Sequence, residues 1–499
     1  MVSKVFTASQ VGVAAELVEV EGLVSNGLPA TIVVGLPDTT VQESRERVKS
    51  AIKQSSLQYP PTRVSINLAP ADCPKDGTGF DLPIALAILQ ASEQIPQVSN
   101  DKLFIGELAL DGTLRPVFGC VSAVLLAKKL GIKEVYVPEA NLKEALLVEG
   151  VDVYPAESLE GLCRHLSGLA PITKAQQESK LEVVNFEGVN LSEIAGQSLA
   201  KEALEIACAG AHNILLSGPP GAGKTLLAKA IPGILPKLTK DEVVELTCIY
   251  GAAGLINSGT ISHRPVRTPH HTASSISLVG GGSQAKPGEI TLAHRGVLFM
   301  DEFPEFSRNV LEVLRQPMED GVVTVARAKK TYTYPAQFML VAAQNPCPCG
   351  FLGDPENVCK CTPQLLDKYN KKLSGPLLDR IDLKVSCRRV GFQAVKNLKP
   401  EESSEDVAIR IAKARQIQYR RFHKSKTNSE MTLKELKQYC HLDDESETLL
   451  KKAERVHKLS ARSLHRILKV SRTIADLSGT ENLSKDHISK ALQFRITDS

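Results

Sequence analysis

Residues 218 to 225 read GPPGAGKT and fit the pattern G-x-x-x-x-G-K-[ST], with Gly218, Gly223, Lys224 and Thr225 at the fixed places and Pro219, Pro220, Gly221 and Ala222 between them. The octet follows an apolar run, HNILLS, that reads as a buried strand, and it opens into LLAKAI, which has helical spacing. Strand, loop and helix in that order form the setting in which such a loop holds phosphate. Its glycines let the backbone turn N–H groups inward onto phosphate oxygens, and the following helix adds its positive end. Lys224 is expected to reach the β- and γ-phosphates, and the Thr225 hydroxyl to sit on Mg²⁺. The chain is therefore expected to contain an α/β core that binds a nucleoside triphosphate.

The length, 499 residues, favours about three domains. The longest apolar runs, such as FDLPIALAIL, are too short to span a bilayer, and the start of the chain has no basic-then-apolar leader. These features predict a cytoplasmic protein without a membrane partner. Eleven cysteines, an odd number, argue against a disulfide framework. A net charge of +4 does not by itself mark a nucleic-acid binder, so any such surface has to come from local clustering. Residues 1–167 alternate strand-like and helix-like runs, 168–188 read as a polar linker, 189–395 resume the alternation around the octet, and 396–499 read as helical.

A phosphate loop needs an acidic partner for the metal and the water. The run GVLFMDEF supplies one, with Val297 to Met300 as a buried strand ending in Asp301 and Glu302. Asp301 is expected to hold Mg²⁺ through its water shell, and Glu302 to polarise the attacking water as general base. The strand QFMLVAAQNP ends in Asn345, a polar residue suited to aligning that water against the γ-phosphate; the alternative is a plain turn residue before Pro346.

Directly after Asn345 come Cys347 and Cys349, then, after nine intervening residues, Cys359 and Cys361. Four thiolates brought together suit a tetrahedral zinc, although the spacing is C-x-C twice and not the commoner C-x₂-C. The alternative is four reduced or redox-active thiols. The remaining seven cysteines stand among apolar neighbours and are expected in the core.

GPPGAGKT, VLFMDEF, AAQNPCPCG and SGPLLDRIDL together resemble the magnesium-chelatase branch of the AAA+ ATPases, and more narrowly the ComM/YifB group of bacterial proteins. The resemblance runs over nearly the whole chain. It implies that Arg380, in LLDRIDL, is a finger acting on a neighbour's nucleotide, and that Arg462, in SARSLHRILKV, is a second sensor in a helical lid. A finger supplied by a neighbour implies a closed ring, for which the resemblance suggests a hexamer. It also implies DNA as the load, with branch migration of recombining DNA during natural transformation as the activity. The rival is a chelatase-type ATPase that remodels a protein partner for metal insertion.

Two inserts offer places to grip a polymer. In VTVARAKKTYTYPA, two alternating strands flank Arg327, Lys329 and Lys330, and the segment resembles the hairpin that related ring ATPases project into their channel. A basic tip suits a phosphate backbone, because neutralised phosphates release counterions. In HRPVRTPHHTASSISLVGGGS, His263, Arg264, Arg267, His270 and His271 form a basic loop expected to meet phosphates or a neighbouring subunit. The basic stretch around Lys413, Arg415, Arg420, Arg421 and Lys424 reads as a solvated helix face.

The N-terminal region, with CPKDGTGFDLPIALAIL and FIGELALDGTLRPVFGC, resembles the proteolytic domain of Lon proteases. In that pattern the nucleophilic Ser comes two residues after a K-D-G triplet, which is Lys75 to Gly77 in this sequence, so its place is taken by Gly79. The place of the catalytic Lys is taken by Val121. Neither can act as nucleophile or base. Ser122 and Lys75 are the nearest groups that could substitute. The expected architecture is a Lon-protease-like α/β domain without protease residues, a P-loop AAA+ α/β core and a C-terminal helical lid.

Overall fold

The protein is described by a computed structural model that covers residues 2–35, 38–73, 75, 77–176, 188–282, 285–326, 331–354, 356–390 and 401–495. It divides into two compact units: Met1–Glu182 with Lys240–Ser262, and Val183–Thr239 with His263–Ser499.

The first unit is built on seven described strands: β1 (Val2–Val11), β2 (Ala14–Ser25), β3 (Ala30–Val34), β4 (Arg63–Ala69), β5 (Lys102–Phe104), β6 (Glu134–Pro138) and β7 (Asp152–Ala156). Their order is β3-β4-β2-β1-β5-β6-β7. β2 pairs antiparallel with β1 and β4, and the other neighbours run parallel. In β1, Ser3, Val5, Thr7 and Ser9 are buried, as the two-residue period of a strand requires of one covered face. Two helices cover this sheet: α1 (Thr39–Gln54), whose first turn is capped by the Asp38 carboxylate accepting from Val41 N–H at 2.7 Å, and α2 (Asp81–Ala91). α2, DLPIALAILQA, is buried at every position and packs on β1, β2 and α1. A helix apolar all round has to be enclosed, and this one forms the centre of the unit's core.

α3 (Cys120–Leu130) also lies on β1 and β2, followed by α4 (Leu142–Ala145) and α5 (Leu159–Leu166). The stretch Lys240–Ser262, which the sequence places within a continuous 189–395 core, is part of this first unit. Its helix α8 (Lys240–Ala252) packs on α3, with Gly251 so close to Gly119 that an added Cβ would lie 3.4 Å from the Gly119 nitrogen. The Asn141 amide fastens the segment by donating to the Asn257 carbonyl at 2.7 Å and to the Val117 carbonyl at 3.0 Å. Burial of residues distant in sequence, which no local pattern records, sets this boundary.

The second unit contains α6 (Ser198–Gly210), β8 (Ile214–Ser217), α7 (Lys224–Ile234), β9 (Val266–Arg267), β10 (Val297–Met300), β13 (Met339–Gln344) and β14 (Leu383–Ser386). The strands form an all-parallel sheet in the order β9-β10-β13-β8-β14. β10 is buried along its whole length and β13 nearly so, as parallel strands covered on both faces are. Between β10 and β13 come the short helix α9 (Pro317–Asp320) and a separate antiparallel hairpin of β11 (Val322–Ala326) and β12 (Thr331–Pro335). The expected polymer contacts Arg327, Lys329 and Lys330 come between these two strands in sequence and lie outside the described residues.

α10 (Pro363–Asn370) precedes β14, and after that strand the described elements are helical: α11 (Ser404–Phe422), α12 (Leu433–Tyr439), α13 (Asp444–His457), α14 (Ala461–Leu477) and α15 (Lys485–Arg495). Ser403, Thr432, Asp443 and Ser460 cap four of these helices, each side chain accepting from the N–H three residues on. Phe422, Met431, Leu436, Cys440, Ala475 and Leu483 form a small cluster within the lid, but the lid's core is not all its own. Val407, Ile411 and Ala414 of α11 and Ile467, Val470 and Ile474 of α14 share one cluster with Ile214 and Val341 of the sheet. Nor is the basic face of α11 simply solvated: Arg415 donates to the Cys208 carbonyl at 2.8 Å, and Arg421 forks onto the buried Asp476. Of the expected linker, 168–188, residues 177–187 lie outside the described residues, and so does the expected start of the lid at 396. No helix among the described residues is long and apolar enough to cross a membrane.

Candidate nucleotide site

The parallel register gathers the polar residues at one edge of the sheet. Ser217 of β8 stands beside Gln344 of β13, and Met300 of β10 beside Ala342. The residues that follow these strands, the Gly218–Thr225 loop, Asp301 with Glu302, and Asn345, therefore leave the carboxyl ends of three adjacent strands. That is where open parallel sheets bind ligands.

The loop is shaped by its glycines. An added Cβ at Gly218 would lie 2.3 Å from the Cys387 carbonyl oxygen, and Gly221 and Gly223 have φ of +77° and +83°. Gly223 is the N-cap of α7, so the first amides of that helix face the loop. Lys224 is 8% exposed, and its ammonium donates to the carbonyls of Gly218 (2.7 Å) and Pro219 (3.0 Å) and to Asn345 Oδ1 (3.1 Å). Desolvation lowers its pKa from the ordinary lysine value. The Thr225 hydroxyl donates to Asp301 Oδ2 at 2.8 Å, which puts a neutral and an anionic oxygen together as a hard divalent cation requires. Glu302 takes a left-handed backbone, φ +51° and ψ +44°, a conformation that non-glycine residues hold mainly where surrounding structure imposes it. Its amide donates to Asp301 Oδ1 at 2.9 Å, and its carboxylate lies 3.4 Å from His271 Nδ1. The donor set fits a nucleotide triphosphate with Mg²⁺: one desolvated cation, turned glycines, a hydroxyl–carboxylate pair and an exposed second acid.

The cysteine cluster abuts this site. The Sγ atoms of Cys347, Cys349, Cys359 and Cys361 all lie within 4.8 Å of one another, with Cys347 3.3 Å from Cys349 and 3.8 Å from Cys359. A tetrahedral Zn–S length of about 2.3 Å corresponds to sulfurs about 3.8 Å apart, so the cluster fits zinc. Amide N–H groups of Phe351 and Lys360 pull the Cys349 thiol down to about 6, while desolvation and the neighbouring thiols push Cys359 and Cys361 up, so the four share their protons unequally. The loop is seated on the phosphate loop: Gly350, at φ +84°, sits so close to Pro220 that a Cβ would lie 2.5 Å from its Cδ. Tyr369 of α10 closes the far side by donating to the Asn345 carbonyl at 3.1 Å. The other seven cysteines are buried.

Arg380 and Arg462 are brought to one another, through Glu319 of α9. Arg380 Nη2 lies 2.5 Å from Glu319 Oε2, and Arg462 Nη2 pairs with the same oxygen. Sequence reasoning missed Glu319, because nothing local distinguishes it from any acid near a helix end. Tyr369 was missed for the same reason, as was the approach of His271 to Glu302.

The basic loop is used internally. Arg264 donates to the carbonyls of Pro236 and Arg295, each at 2.7 Å, and Arg267 forks onto Glu289 at 2.6 and 2.8 Å. The His270 and His271 rings lie tilted by 34° to each other, with centroids 4.2 Å apart. In the first unit, the two groups that could have replaced a protease pair are both engaged with backbone. Lys75 is fully buried and donates to the Pro70 carbonyl, and the Ser122 hydroxyl donates to the Val13 carbonyl at 2.9 Å.

Residues 190–395 match the family model described as magnesium chelatase, subunit ChlI, and 401–495 match its C-terminal part; 18–141 match a model described as subunit ChlI of Mg-chelatase. The chain is 43% identical to competence protein ComM of Haemophilus influenzae, across 98% of this chain and 97% of that protein. It is 41% identical to the protein YifB of Escherichia coli, across 99% and 97%. A Lon protease of Rhizobium meliloti is 29% identical over 139 residues, 26% of this chain and 17% of its own. With phosphate loop, strand-end acids and lid in place and relatives aligned from end to end, the chain belongs to the ComM/YifB family of magnesium-chelatase-like AAA+ proteins.

Proposed function

We propose that this protein is an ATP-driven ring motor that acts on DNA, a helicase that promotes branch migration during the homologous recombination of natural transformation. The observation that carries the reading is end-to-end similarity to a protein named for competence, on a chain whose nucleotide-site residues converge as ATP hydrolysis needs. Lys224 and the amides of Gly218 to Thr225 hold the phosphates. Thr225 and Asp301 would hold Mg²⁺, which when bound would neutralise phosphate charge. Glu302 takes a proton from the attacking water, and Asn345, already bonded to Lys224, orients that water. Arg380 reaches the neighbour's nucleotide to stabilise charge on the transferred phosphoryl, and Arg462 senses the subunit's own. A head-to-tail interface of that kind closes into a ring, in this reading a hexamer. Zinc on the four cysteines stiffens the loop that braces Pro220 and Asn345. Arg327, Lys329 and Lys330 grip the DNA backbone.

The descriptions of the matching family models favour a second reading, a chelatase-type ATPase that remodels a protein partner for metal insertion. One experiment separates the two. ATP hydrolysis is measured alone and with single-stranded, duplex and four-way-junction DNA, beside a junction-migration assay. The motor reading expects stimulation by DNA, movement of the junction, and loss of both when Lys329 and Lys330 become Ala, with basal hydrolysis retained. A wild-type protein that neither binds nor responds to any of these DNAs overturns it in favour of the chelatase reading.

A further inference from the structure

Glu319 is where two arginines with different duties meet. It lies on α9, three residues before hairpin strand β11 starts at Val322, with Gly321 closing the helix at φ +66°. One oxygen, Oε2, is paired with both Arg380 and Arg462. The Arg380 backbone is held from two sides, its carbonyl accepting from Asn213 Nδ2 and from Arg466 Nη1 at 3.0 Å each. Its guanidinium, 12% exposed, has Glu319 and the Pro376 carbonyl (2.8 Å) as partners, and its buried Nε has none. To reach a neighbour's nucleotide the side chain has to leave both partners while its anchor stays.

Two guanidiniums on one carboxylate leave a net positive charge, and each weakens the other's hold. The Glu319 and Arg462 side chains are 44% and 37% exposed, and ion pairs so exposed are weak. A phosphate oxygen presents more charge to the same N–H edges and competes with the carboxylate for them.

We infer that Glu319 is a positioning residue that couples neighbouring nucleotide sites: it is the shared counter-ion that Arg462 leaves to meet its own nucleotide and Arg380 leaves to meet the neighbour's. When either arginine turns to phosphate, the other keeps the whole of Glu319 and is held back. The inference rests on the assignment of the two arginines in the proposed function.

The test titrates a fluorescent ATP analogue into full-length protein carrying Glu302→Gln, so that turnover does not intrude. Adding Glu319→Gln removes the competitor of phosphate and is expected to tighten binding about two- to fivefold. Glu319→Asp, which keeps the charge, stays close to the parent. The tightening should vanish when Arg462→Ala is also present, because the carboxylate then has no sensor to withhold. A Glu319→Gln protein of unchanged thermal midpoint that binds no more tightly overturns the inference, and so does equal tightening with Arg462→Ala. If Arg380→Ala and Arg462→Ala each leave binding and turnover untouched, the arginine assignment falls and takes this inference with it.

Discussion

Both units of this chain bury a lysine beside a glycine-bearing turn, yet only one of the two lysines has surroundings that could do chemistry. Lys75, in the Lon-like unit, is fully enclosed and bonded to the Pro70 carbonyl. Lys224, in the AAA+ unit, keeps a little exposure and sits among Gly218, Pro219 and Asn345, with the Thr225–Asp301 pair close by in sequence and register. The first unit retains a dense apolar core, α2 above all, where the nucleophile position is Gly79 and the base position is Val121. A fold persists on its buried apolar area, whereas a site persists on a handful of polar groups. The two units show those requirements apart.

The comparison is sharpest if substitutions in the AAA+ unit change rate and those in the Lon-like unit change stability alone. Arg380→Ala should cost the most, about 10³ to 10⁵ in turnover. Mixed with Glu302→Gln protein it should regain some activity, because mixed rings contain interfaces with both residues intact. No recovery in mixtures shown to co-assemble would argue against action in trans.

Glu302→Gln should lower turnover by about 10² to 10⁴ with nucleotide binding retained, while Lys224→Ala weakens binding itself. Steady-state rates beside analogue titrations separate the two, and near wild-type turnover by Glu302→Gln removes the base assignment.

Cys347→Ser with Cys349→Ser should take bound zinc from about one per chain to none, read by metal analysis of protein purified without a histidine tag. A wild-type protein that is metal-free, stable and active ends the zinc reading.

The smallest effects belong to the Lon-like unit. Val121→Lys puts a charge at a site 1% exposed and should cost about 3 kcal/mol or more in unfolding free energy. Gly79→Ser should change stability by about 0.5 kcal/mol or less, since the nearest atom to an added Cβ is Val117 Cγ1 at 3.9 Å. Neither variant should cleave a peptide substrate. Peptidase activity from Gly79→Ser alone would show that the unit's chemistry was one hydroxyl away and would undo the contrast.

The sequence by itself determined what depends on near neighbours in the chain. GPPGAGKT between a strand and a helix, acids at the end of VLFM and Asn345 after the strand-like run FMLVAAQ all follow from local backbone preference and periodicity. Tertiary structure alone decided which distant residues meet. The Lys240–Ser262 excursion joins the first unit because α8 is buried against α3, and Arg264, Arg267, Arg415 and Arg421 are drawn inward by carbonyls and carboxylates far along the chain. Glu319 gathers Arg380 and Arg462 from 61 and 143 residues away. A charged side chain shows in sequence only that it needs a partner; the enclosing fold decides whether that partner is water, a backbone carbonyl or another side chain.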